Sequence, residues 1–477
     1  MTANGLTPAA PGSSSPGNGP LPGARTALIL LVAINLFNYI DRQVLAANLD
    51  SIEKAFLPEE GAGPASGEID PDAHLKDLAY LFSHHPAGEA AAPTTSRNKE
   101  MLGNLAMAFM FSYMLLAPVF GWLADRIRRW WVVALGVLIW SLASGASGLS
   151  SFSAGMTGFW LLMVTRCFVG AGEAAYAPIA PSMISDLYPV KSRGRVLAWF
   201  YAAIPVGGAL GYVLGGVAGW PWAFYLVLPP GIALAAVCFF FHEPPRGQAD
   251  LQHPDTARRA RFKDYLIFLK TPSFLLDTLG MTAMTFAIGG IAHWMPYYIA
   301  TYRGYWTKES VGIVFGAIVV IAGLGGTLLG GIVGDRLRGR FPGSYFLVSG
   351  LAMLVGLPVF CAILVCPFPW CWVFIFLACF CLFFNTGPTN TILANVTHPS
   401  LRAPAFAVNI LIIHSFGDAF SPTLIGTIAD QTAHNGRANM NAGFLAISGT
   451  IAIGGFLWLW GARYLQRDTE LAPKRFV

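Results

Sequence analysis

The sequence reads Gly121-Trp-Leu-Ala-Asp125-Arg126-Ile-Arg128-Arg129 at one place and Gly331-Ile-Val-Gly-Asp335-Arg336-Leu-Arg338-Gly339-Arg340 at another, 210 residues later. In both copies a glycine is followed, at the same spacing, by an aspartate and two arginines. Each copy ends a long apolar segment. Repeated halves of this kind are an architecture of secondary transporters, with the binding site near the midplane between the halves. The repeat therefore predicts two related bundles of membrane helices.

The composition of the 477-residue chain supports a membrane protein. Hydrophobic residues make up 55% of it and charged residues 12%, whereas an ordinary soluble domain has about 25% charged residues. A soluble enzyme, a disordered chain and a fibrous protein are therefore excluded. The net charge of +5 does not come from a basic cluster with interleaved aromatics, so nucleic-acid binding is not expected.

The apolar residues fall in blocks of about the ~20 residues that cross a bilayer. We predict twelve spans, at residues 25–49, 101–124, 131–150, 159–187, 194–218, 222–241, 272–300, 310–334, 343–366, 369–396, 402–429 and 440–463. The expected fold is all-α, with twelve transmembrane helices in two pseudo-symmetric six-helix bundles. The bundles cover residues 25–241 and 272–463, and the basic segment 242–271 is a cytoplasmic linker between them.

The distribution of lysine and arginine orients these spans. The loops on one side carry 21 such residues and those on the other side carry 7, while Arg42 and Arg166 lie inside spans. The positive-inside rule then places both termini in the cytoplasm, in a bacterial inner membrane or an equivalent plasma membrane. We expect flexible cytoplasmic tails at 1–24 and 464–477. The outer segment 50–100 is a short helix or a flexible lid, and its polarity favours flexibility.

The seven cysteines are scattered through apolar blocks without CxxC pairs or histidines at metal spacing, so neither a metal nor another cofactor is expected. Cys366 and Cys371 flank a short turn, where a disulfide is possible. Buried thiols are the commoner case.

The repeated motif is a candidate cytoplasmic gate. Glycine allows two helices to approach closely, and aspartate and arginine at a helix end pair with helix termini or with each other. Such a latch would hold one conformation and break in the other. The alternative is that these residues anchor loops at the headgroup layer. The gate candidates are Gly121, Asp125, Arg126, Arg129, Gly331, Asp335, Arg336 and Arg340.

A charged residue within a span costs about 2.5–3.5 kcal/mol without a partner or a wet cavity. Four such residues lie away from the span ends in the first bundle: Asp41, Arg42, Arg166 and Glu173. Asp41 and Arg42 lie ~12 Å below the outer surface and Arg166 lies ~10 Å below it, at 1.5 Å per residue. Asp41 and Arg166 therefore share a depth. Glu173 follows Arg166 by seven residues and occupies the same helical face.

Two acids facing two arginines form a plausible proton switch. A carboxylate beside an arginine stays ionised, and a desolvated one without an arginine takes up a proton. We predict that Asp41 is the main proton carrier, Arg42 and Arg166 its switching partners, and Glu173 an accessory acid. The alternative is a static ion-pair cluster that only fixes helix packing.

Other polar residues within spans are candidates for the cavity wall. Asn35 and Asn38 share a helical face with Arg42, or they form interhelical hydrogen bonds. His414 and Asp418 either contact substrate or pair with each other. His293 and Trp294 are candidates in the outer half of the cavity, although tryptophan is also an interface anchor.

Four further motifs carry a family resemblance. They are Asn38-Tyr-Ile-Asp41-Arg42, Arg166-Cys-Phe-Val-Gly170-Ala-Gly172-Glu173-Ala-Ala-Tyr176, Ala203-Ile-Pro205-Val-Gly207 and His414-Ser-Phe-Gly417-Asp418-Ala-Phe-Ser421-Pro422. With the repeated motif, they resemble the Spinster branch of the major facilitator superfamily over about residues 30–465, except in 50–100. The resemblance implies proton-driven transport of a lysophospholipid or sphingosine 1-phosphate, with the coupling residues named above. It adds Tyr176 and Asn385 as cavity candidates, and Asn385 stands where relatives can carry an acid.

The residues themselves leave the substrate open. An apolar cavity with Arg42 and Arg166 in its upper half suits an amphipathic anion, but a hydrophilic organic anion is equally allowed. A membrane-embedded lipid enzyme is the second class, yet the sequence has no GxSxG, HExxH or HxxxxD motif, so no catalytic residues are assigned. Pore-loop signals of an ion channel are also absent. The expected partners are the substrate, protons and the lipid bilayer, and the expected working unit is a monomer.

Overall fold

The computed structural model describes residues 21–57, 73–82, 97–124, 126–188, 190–243, 266–398, 401–433 and 437–474. The helices in these ranges are α1 (Ala24–Ala47), α2 (Leu49–Phe56), α3 (Ala73–Phe82), α4 (Asn98–Ala124), α5 (Arg129–Leu149), α6 (Gly155–Tyr176), α7 (Ile179–Leu187), α8 (Val190–Ala218), α9 (Trp222–Cys238), α10 (Leu266–Leu269), α11 (Pro272–Tyr297), α12 (Lys308–Arg338), α13 (Ser344–Val365), α14 (Cys371–Phe383), α15 (Thr386–Val396), α16 (Arg402–Ile413), α17 (Ser421–Gln431), α18 (Met440–Gly461) and α19 (Leu465–Leu471). Short 3-10 turns lie at Ser150–Phe152 and Ala472–Lys474, and π-turns at Tyr298–Tyr302 and His414–Asp418.

The described helices supply all twelve predicted spans. Ten helical stretches are long and apolar enough to cross a membrane. The other two spans are α6, which carries Arg166 and Glu173, and the 17-residue apolar helix α9. Both pack in the first half, where α6 contacts α4 and α5, and α9 contacts α5. The expected all-α fold is therefore confirmed.

Three predicted spans are interrupted, which the apolar pattern did not indicate. Span four consists of α6 and α7, span ten of α14 and α15, and span eleven of α16, a π-turn and α17. A proline stands at or just after each break: Pro178, Pro388 and Pro422. Proline lacks a backbone N–H and is tolerated in the first turn of a helix but not in its interior.

The two halves meet along three helix pairs: α8 with α12, α4 with α17, and α1 with α11. We call the face that carries the basic loops the cytoplasmic face. The closest approaches between halves lie towards the opposite, outer face. A Cβ on Gly103 would come within 2.6 Å of the Pro422 carbonyl oxygen, and one on Gly426 would overlap the Lys99 backbone.

The cytoplasmic ends of the halves are less crowded. A Cβ on Gly121 or Gly331, at the cytoplasmic ends of α4 and α12, would meet no atom within 4 Å. Among the described residues, the tightest contacts between the halves therefore lie on the outer side, as expected for an inward-facing arrangement.

The described parts of the outer segment 50–100 are mainly helical, which agrees with the short-helix alternative and not with the flexible lid. Ile52 and Phe56 on α2 are buried, and the Phe56 ring packs edge-on against Trp220 at 5.7 Å. On α3, Asp77 accepts a hydrogen bond from the Tyr302 hydroxyl at 2.7 Å. Polar residues in this segment are ordered because they bond to the second half. Residues 58–72 and 83–96 lie outside the described part.

Parts of the two predicted tails pack against the helical bundles. The Leu21 amide donates to the Leu187 carbonyl at 3.1 Å, so residues 21–24 are held against the first half. Residues 465–471 form α19, in which Leu465 and Asp468 are buried. These stretches are therefore not free tails. Of the predicted linker, 244–265 lies outside the described residues, as do 1–20 and 475–477.

All seven cysteines are free thiols. Cys371 is buried, and its Sγ lies 3.6 Å from the Ile363 carbonyl oxygen. The disulfide that the sequence allowed between Cys366 and Cys371 is not present.

Candidate functional site

Three helices of the first half bring the intramembrane charges together. Asp41 and Arg42 are neighbours on α1, so their side chains leave the helix about 100° apart and reach different partners. The helix α6 carries Arg166 and Glu173, and α5 faces them with serine hydroxyls. Two separate charge pairs result.

Asp41 is fully buried, and its first oxygen, Oδ1, accepts a hydrogen bond from the Ser144 hydroxyl. The Asp41 Oδ2 atom has no hydrogen bond and lies 4.0 Å from the Arg166 guanidinium. Arg166 instead donates to the Ser147 hydroxyl at 2.6 Å. The pair between Asp41 and Arg166 is thus loose, and the predicted meeting of the two residues across the bundle is confirmed.

Arg42 and Glu173 form a tight pair. Arg42 Nε donates to Glu173 Oε2 at 2.7 Å, and an Nη atom lies 2.5 Å from the same oxygen. The Arg42 side chain is 17% exposed and the Glu173 side chain 1%. The other carboxylate oxygen of Glu173, Oε1, is buried without a hydrogen-bond partner. The sequence analysis assigned Arg42 to Asp41, but the structure pairs it with Glu173.

Aromatic rings surround Arg42. Its guanidinium lies 4.9 Å from the Tyr39 and Phe109 ring centroids and 5.7 Å from that of Tyr113. Such contacts attract a cation to the ring faces. Arg42 is therefore a positive group that is paired with Glu173 and surrounded by rings, with 17% of its side chain still exposed.

The second half contributes His414 and Asp418 opposite this group. They lie on a π-turn in span eleven, with His414 Nδ1 3.0 Å from Asp418 Oδ2. Their side chains are 25% and 17% exposed. The His414 ring contacts Tyr113 edge-on at 6.4 Å, so the pair adjoins the Arg42 group across the space between the halves.

The other six cavity candidates are buried in helix packing in this conformation, and their place in the cavity wall stays a prediction for other states. Asn35 donates to the Phe200 carbonyl at 3.0 Å, Tyr176 to that of Leu31 at 2.6 Å, Trp294 to that of Pro422 at 2.8 Å, and Asn385 to that of Leu382 at 2.6 Å. Asn38 adjoins Glu173, and His293 is 7% exposed. Interhelical hydrogen bonds hold Asn35, Tyr176 and Trp294 there, whereas His293 Nε2 and Asn385 Oδ1 are buried without a hydrogen-bond partner.

The gate candidates make contacts within their own halves. Arg129 pairs with Asp186 and Glu243, each at 2.6 Å, and Arg126 lies over the Trp122 ring at 3.8 Å. Asp335 accepts from the Tyr345 hydroxyl at 2.7 Å. Arg336 and Arg340 are exposed, and Asp125 lies outside the described residues. A latch between halves stays a prediction for the outward-facing state.

A charged network that the sequence analysis missed joins the halves on the outer side. Asp50 on α2 pairs with Lys308 on α12, and Lys308 also donates to the Ser51 hydroxyl at 2.9 Å. Glu53 accepts from the Tyr297 hydroxyl at 2.9 Å and pairs with Lys99. We call these residues the outer network. Burial acts to raise the pKa of Asp50, but Lys308 and Lys54 outweigh it, so this pKa lies below its ordinary value.

The lowered pKa of Asp50 predicts how the outer network responds to pH. Its stabilisation is fully present above the ordinary aspartate pKa of about 4 and is lost as the pH falls through the lowered value. Spin labels replacing the exposed Val217 and Trp306, one in each half, should therefore keep a constant distance between pH 8 and about pH 5. Lys308→Gln should lengthen that distance at all these pH values. A parent distance that changes between pH 8 and 5 would contradict the assignment.

Several site residues had only a weak signal in the sequence. The site residues Ser144 and Ser147 continue a spacing of every third residue that begins at Ser141, and they mark a polar face on the apolar helix α5. The outer network depends on the position of α2, which the apolar pattern does not predict. Within the described ranges, no group of three or more His, Cys, Asp or Glu residues could hold a metal ion.

The chain is similar in sequence to a family of known membrane proteins. A family model described as Major Facilitator Superfamily matches residues 31–422. The chain is 33% identical over 481 residues to protein spinster homolog 1 of Homo sapiens, a match that covers 94% of the chain and 83% of the relative. It is 30% identical over 470 residues to the sphingosine-1-phosphate transporter SPNS2 of Danio rerio, covering 92% and 84%.

Two solved structures share the fold. A bacterial homologue of the human lysosomal transporter Spinster, inward-facing and unoccupied, matches with a TM-score of 0.68 and 21% identity over 95% of this chain and 98% of that one. A D-xylose–proton symporter matches with a TM-score of 0.66 and 13% identity over 90% and 96%.

Proposed function

The chain belongs to the Spinster family of the major facilitator superfamily, whose members are membrane transporters and not enzymes, and from this premise we propose that it couples proton movement to the transport of an amphipathic anionic lipid. The substrate class is a lysophospholipid or a sphingosine 1-phosphate-like lipid. The two halves alternate between inward-facing and outward-facing states. The protein works as a monomer in a bacterial inner membrane or equivalent plasma membrane, with both termini in the cytoplasm.

The observation that carries the proton coupling is the loose pair of Asp41 and Arg166. Asp41 is fully buried, yet Arg166 lies 4.0 Å away and Asp41 Oδ2 lacks a hydrogen bond. A carboxylate that keeps its arginine stays ionised, and one that loses it while buried takes up a proton. A small shift of α6 against α1 is enough to change this distance. Proton binding at Asp41 is thereby tied to helix position.

The partly exposed Arg42 supports an anionic substrate. Its free edge can donate hydrogen bonds to a phosphate, and the surrounding Tyr39, Phe109 and Tyr113 rings offer apolar contact for the start of an acyl chain. When a phosphate approaches, it competes with Glu173 for Arg42, and Glu173 becomes free to bind a proton. Substrate and proton binding would then be linked through one arginine.

Transport by the purified protein in liposomes tests the proposal. Liposomes that contain the parent protein carry a fluorescent lysolipid in one leaflet, and a pH gradient of one unit is imposed across their membrane. We expect lipid movement that depends on the gradient and stops when a protonophore collapses it. Liposomes without protein, and liposomes with an Arg42→Leu variant, serve as controls.

The same liposome experiment distinguishes a lipid substrate from a hydrophilic organic anion. If the correctly inserted parent protein moves no lysolipid but accumulates a hydrophilic organic anion under the gradient, the lipid assignment is wrong and proton-coupled anion transport remains. If it moves neither, proton-coupled transport itself is overturned.

A further inference from the structure

Asp277 on α11 is a buried acid outside the site described above. Its side chain is 0% exposed, and neither carboxylate oxygen has a hydrogen-bond partner. The hydroxyls of Ser273 and Thr278, on the same helix, also have no hydrogen-bond partner. Asp277 lies five residues after the start of α11, or ~7.5 Å from the cytoplasmic end of that helix.

No described cation compensates Asp277. The adjacent helix α18 contains no ionisable residue, and neither does α15. The Trp458 indole of α18 lies beside Asp277 and donates, at 3.4 Å, to its backbone carbonyl. On α19, Asp468 accepts from the Ser273 amide at 2.9 Å, and Arg467 is paired with Asp468.

Other ionisable groups on the elements around α11 are distant or engaged elsewhere. Asp418 of the π-turn abuts Gly289, twelve residues beyond Asp277, or ~18 Å along α11. Asp430 of α17 accepts from the Glu100 amide at the outer face. Lys270 precedes α11 and is exposed. Arg402 begins α16, and its side chain lies outside the described part of the structure.

An ionised carboxylate in this position would be desolvated without a partner, so the group is neutral instead. We propose that Asp277 is a second proton-binding site, in the second half of the protein, and that it holds its proton in the inward-facing state. This inference rests on the proposed proton coupling. It supplies the acid of the second half that Asn385 does not.

The position of Asp277 allows it to release that proton during the cycle. The helix α11 belongs to the seam between the halves, since its Tyr297 bonds to Glu53 of the first half. At Gly280, about one turn beyond Asp277, α11 contacts the Trp458 indole closely. A Cβ added to Gly280 would overlap that ring. Small residues at such contacts let two helices approach closely. Movement of α11 along α18 would bring Asp277 to cytoplasmic water.

Infrared difference spectroscopy tests whether Asp277 is protonated. Reconstituted parent protein at pH 7 should show the carbonyl band of a protonated, solvent-shielded carboxyl group. The band should be absent from Asp277→Asn and retained in Ser273→Ala, the matched control on the same buried face. A parent spectrum without such a band, or a band that disappears when NaCl replaces choline chloride, would overturn the proposal, the latter because the carboxylate would then bind sodium.

Transport measurements test whether the proton is used. Each coupled proton multiplies the accumulation ratio about tenfold per unit of pH gradient, since one pH unit and a tenfold ratio both equal about 1.4 kcal/mol. Asp277→Asn should therefore lower the ratio about tenfold, while Ser273→Ala and Asp277→Glu keep the parent value. The glutamate variant retains an acid, so it separates loss of the proton from misfolding of the asparagine variant.

The outcomes distinguish this inference from the proposed function. If the parent shows no gradient-driven transport, the proposed function fails, and with it the use of the Asp277 proton. If the parent is driven by the gradient and Asp277→Asn accumulates substrate as the parent does, only the second proton site is overturned.

Discussion

Asp41→Asn lowers the accumulation ratio of substrate by at least about tenfold per unit of pH gradient, which is the contribution of one coupled proton. Asparagine has nearly the same volume as aspartate and can still accept from the Ser144 hydroxyl. It cannot ionise, so the distance to Arg166 no longer decides whether a proton is bound. The variant should behave as though Asp41 were permanently protonated.

The measurement compares two transport modes in the same liposomes. Net accumulation under a pH gradient should fall, whereas exchange of labelled for unlabelled substrate without a gradient should continue, because exchange needs no net proton movement. Ser141→Ala on α5 is the packing control, since the Ser141 hydroxyl bonds only to the Val137 carbonyl of its own helix. Asp41→Asn that still accumulates substrate against a gradient, at normal expression, contradicts the proton-carrier assignment.

Arg42→Leu is expected to reduce the free energy of unfolding by about 3–5 kcal/mol, the usual cost of breaking a buried pair. The substitution leaves Glu173, which is 1% exposed, without its cation. The double variant Arg42→Leu, Glu173→Leu should recover most of that loss, because no buried charge remains. Denaturant unfolding in detergent measures the free energy of unfolding of the parent, the single variant and the double variant.

The same variants separate stability from substrate binding. A hydrogen bond to a charged group contributes about 1.5–3 kcal/mol, so the Kd for an anionic lysolipid should rise about tenfold or more in both the single and the double variant. Arg25→Leu is the matched control, because Arg25 is exposed and lies near the start of the same helix, α1. A double variant that is stable and binds lysolipid as the parent does would show that Arg42 serves packing alone.

The twelve membrane helices and their division into two halves follow from the sequence. Crossing a bilayer requires about 20 apolar residues whatever the neighbours are, so each span is a local property of the chain. The duplicated Gly-Asp-Arg-Arg motif likewise needs no coordinates. The depth of Asp41 and Arg166 follows from the rise of a helix, which is why their meeting could be predicted.

The pairing of the charges could not be predicted in the same way. Arg42 bonds to Glu173 and not to Asp41 because neighbouring residues on α1 point in different directions, and the rotation of α1 against α6 decides which partner each one meets. The cavity wall depends on the same rotations. Asn35 and Trp294 have the polarity of lining residues, yet both donate to carbonyls of other helices.

Residues 49–57 and 73–82 show the limit of composition as a guide. A polar, Ala- and Pro-rich stretch predicts flexibility when it has only water as a partner. Here Asp50 pairs with Lys308 and Asp77 accepts from Tyr302, and both partners are more than 200 residues away in the chain. The role of Asp277 could not be predicted from the sequence for a related reason. An acid near a helix end is common, and only the tertiary structure shows that no described cation lies beside this one.

The sequence by itself determined the spans, their number and their repetition, because these depend on local hydrophobicity and helix geometry. Only the tertiary structure decided which charges are paired, which are buried alone and which side of the molecule is closed, because those depend on contacts between helices far apart in the chain.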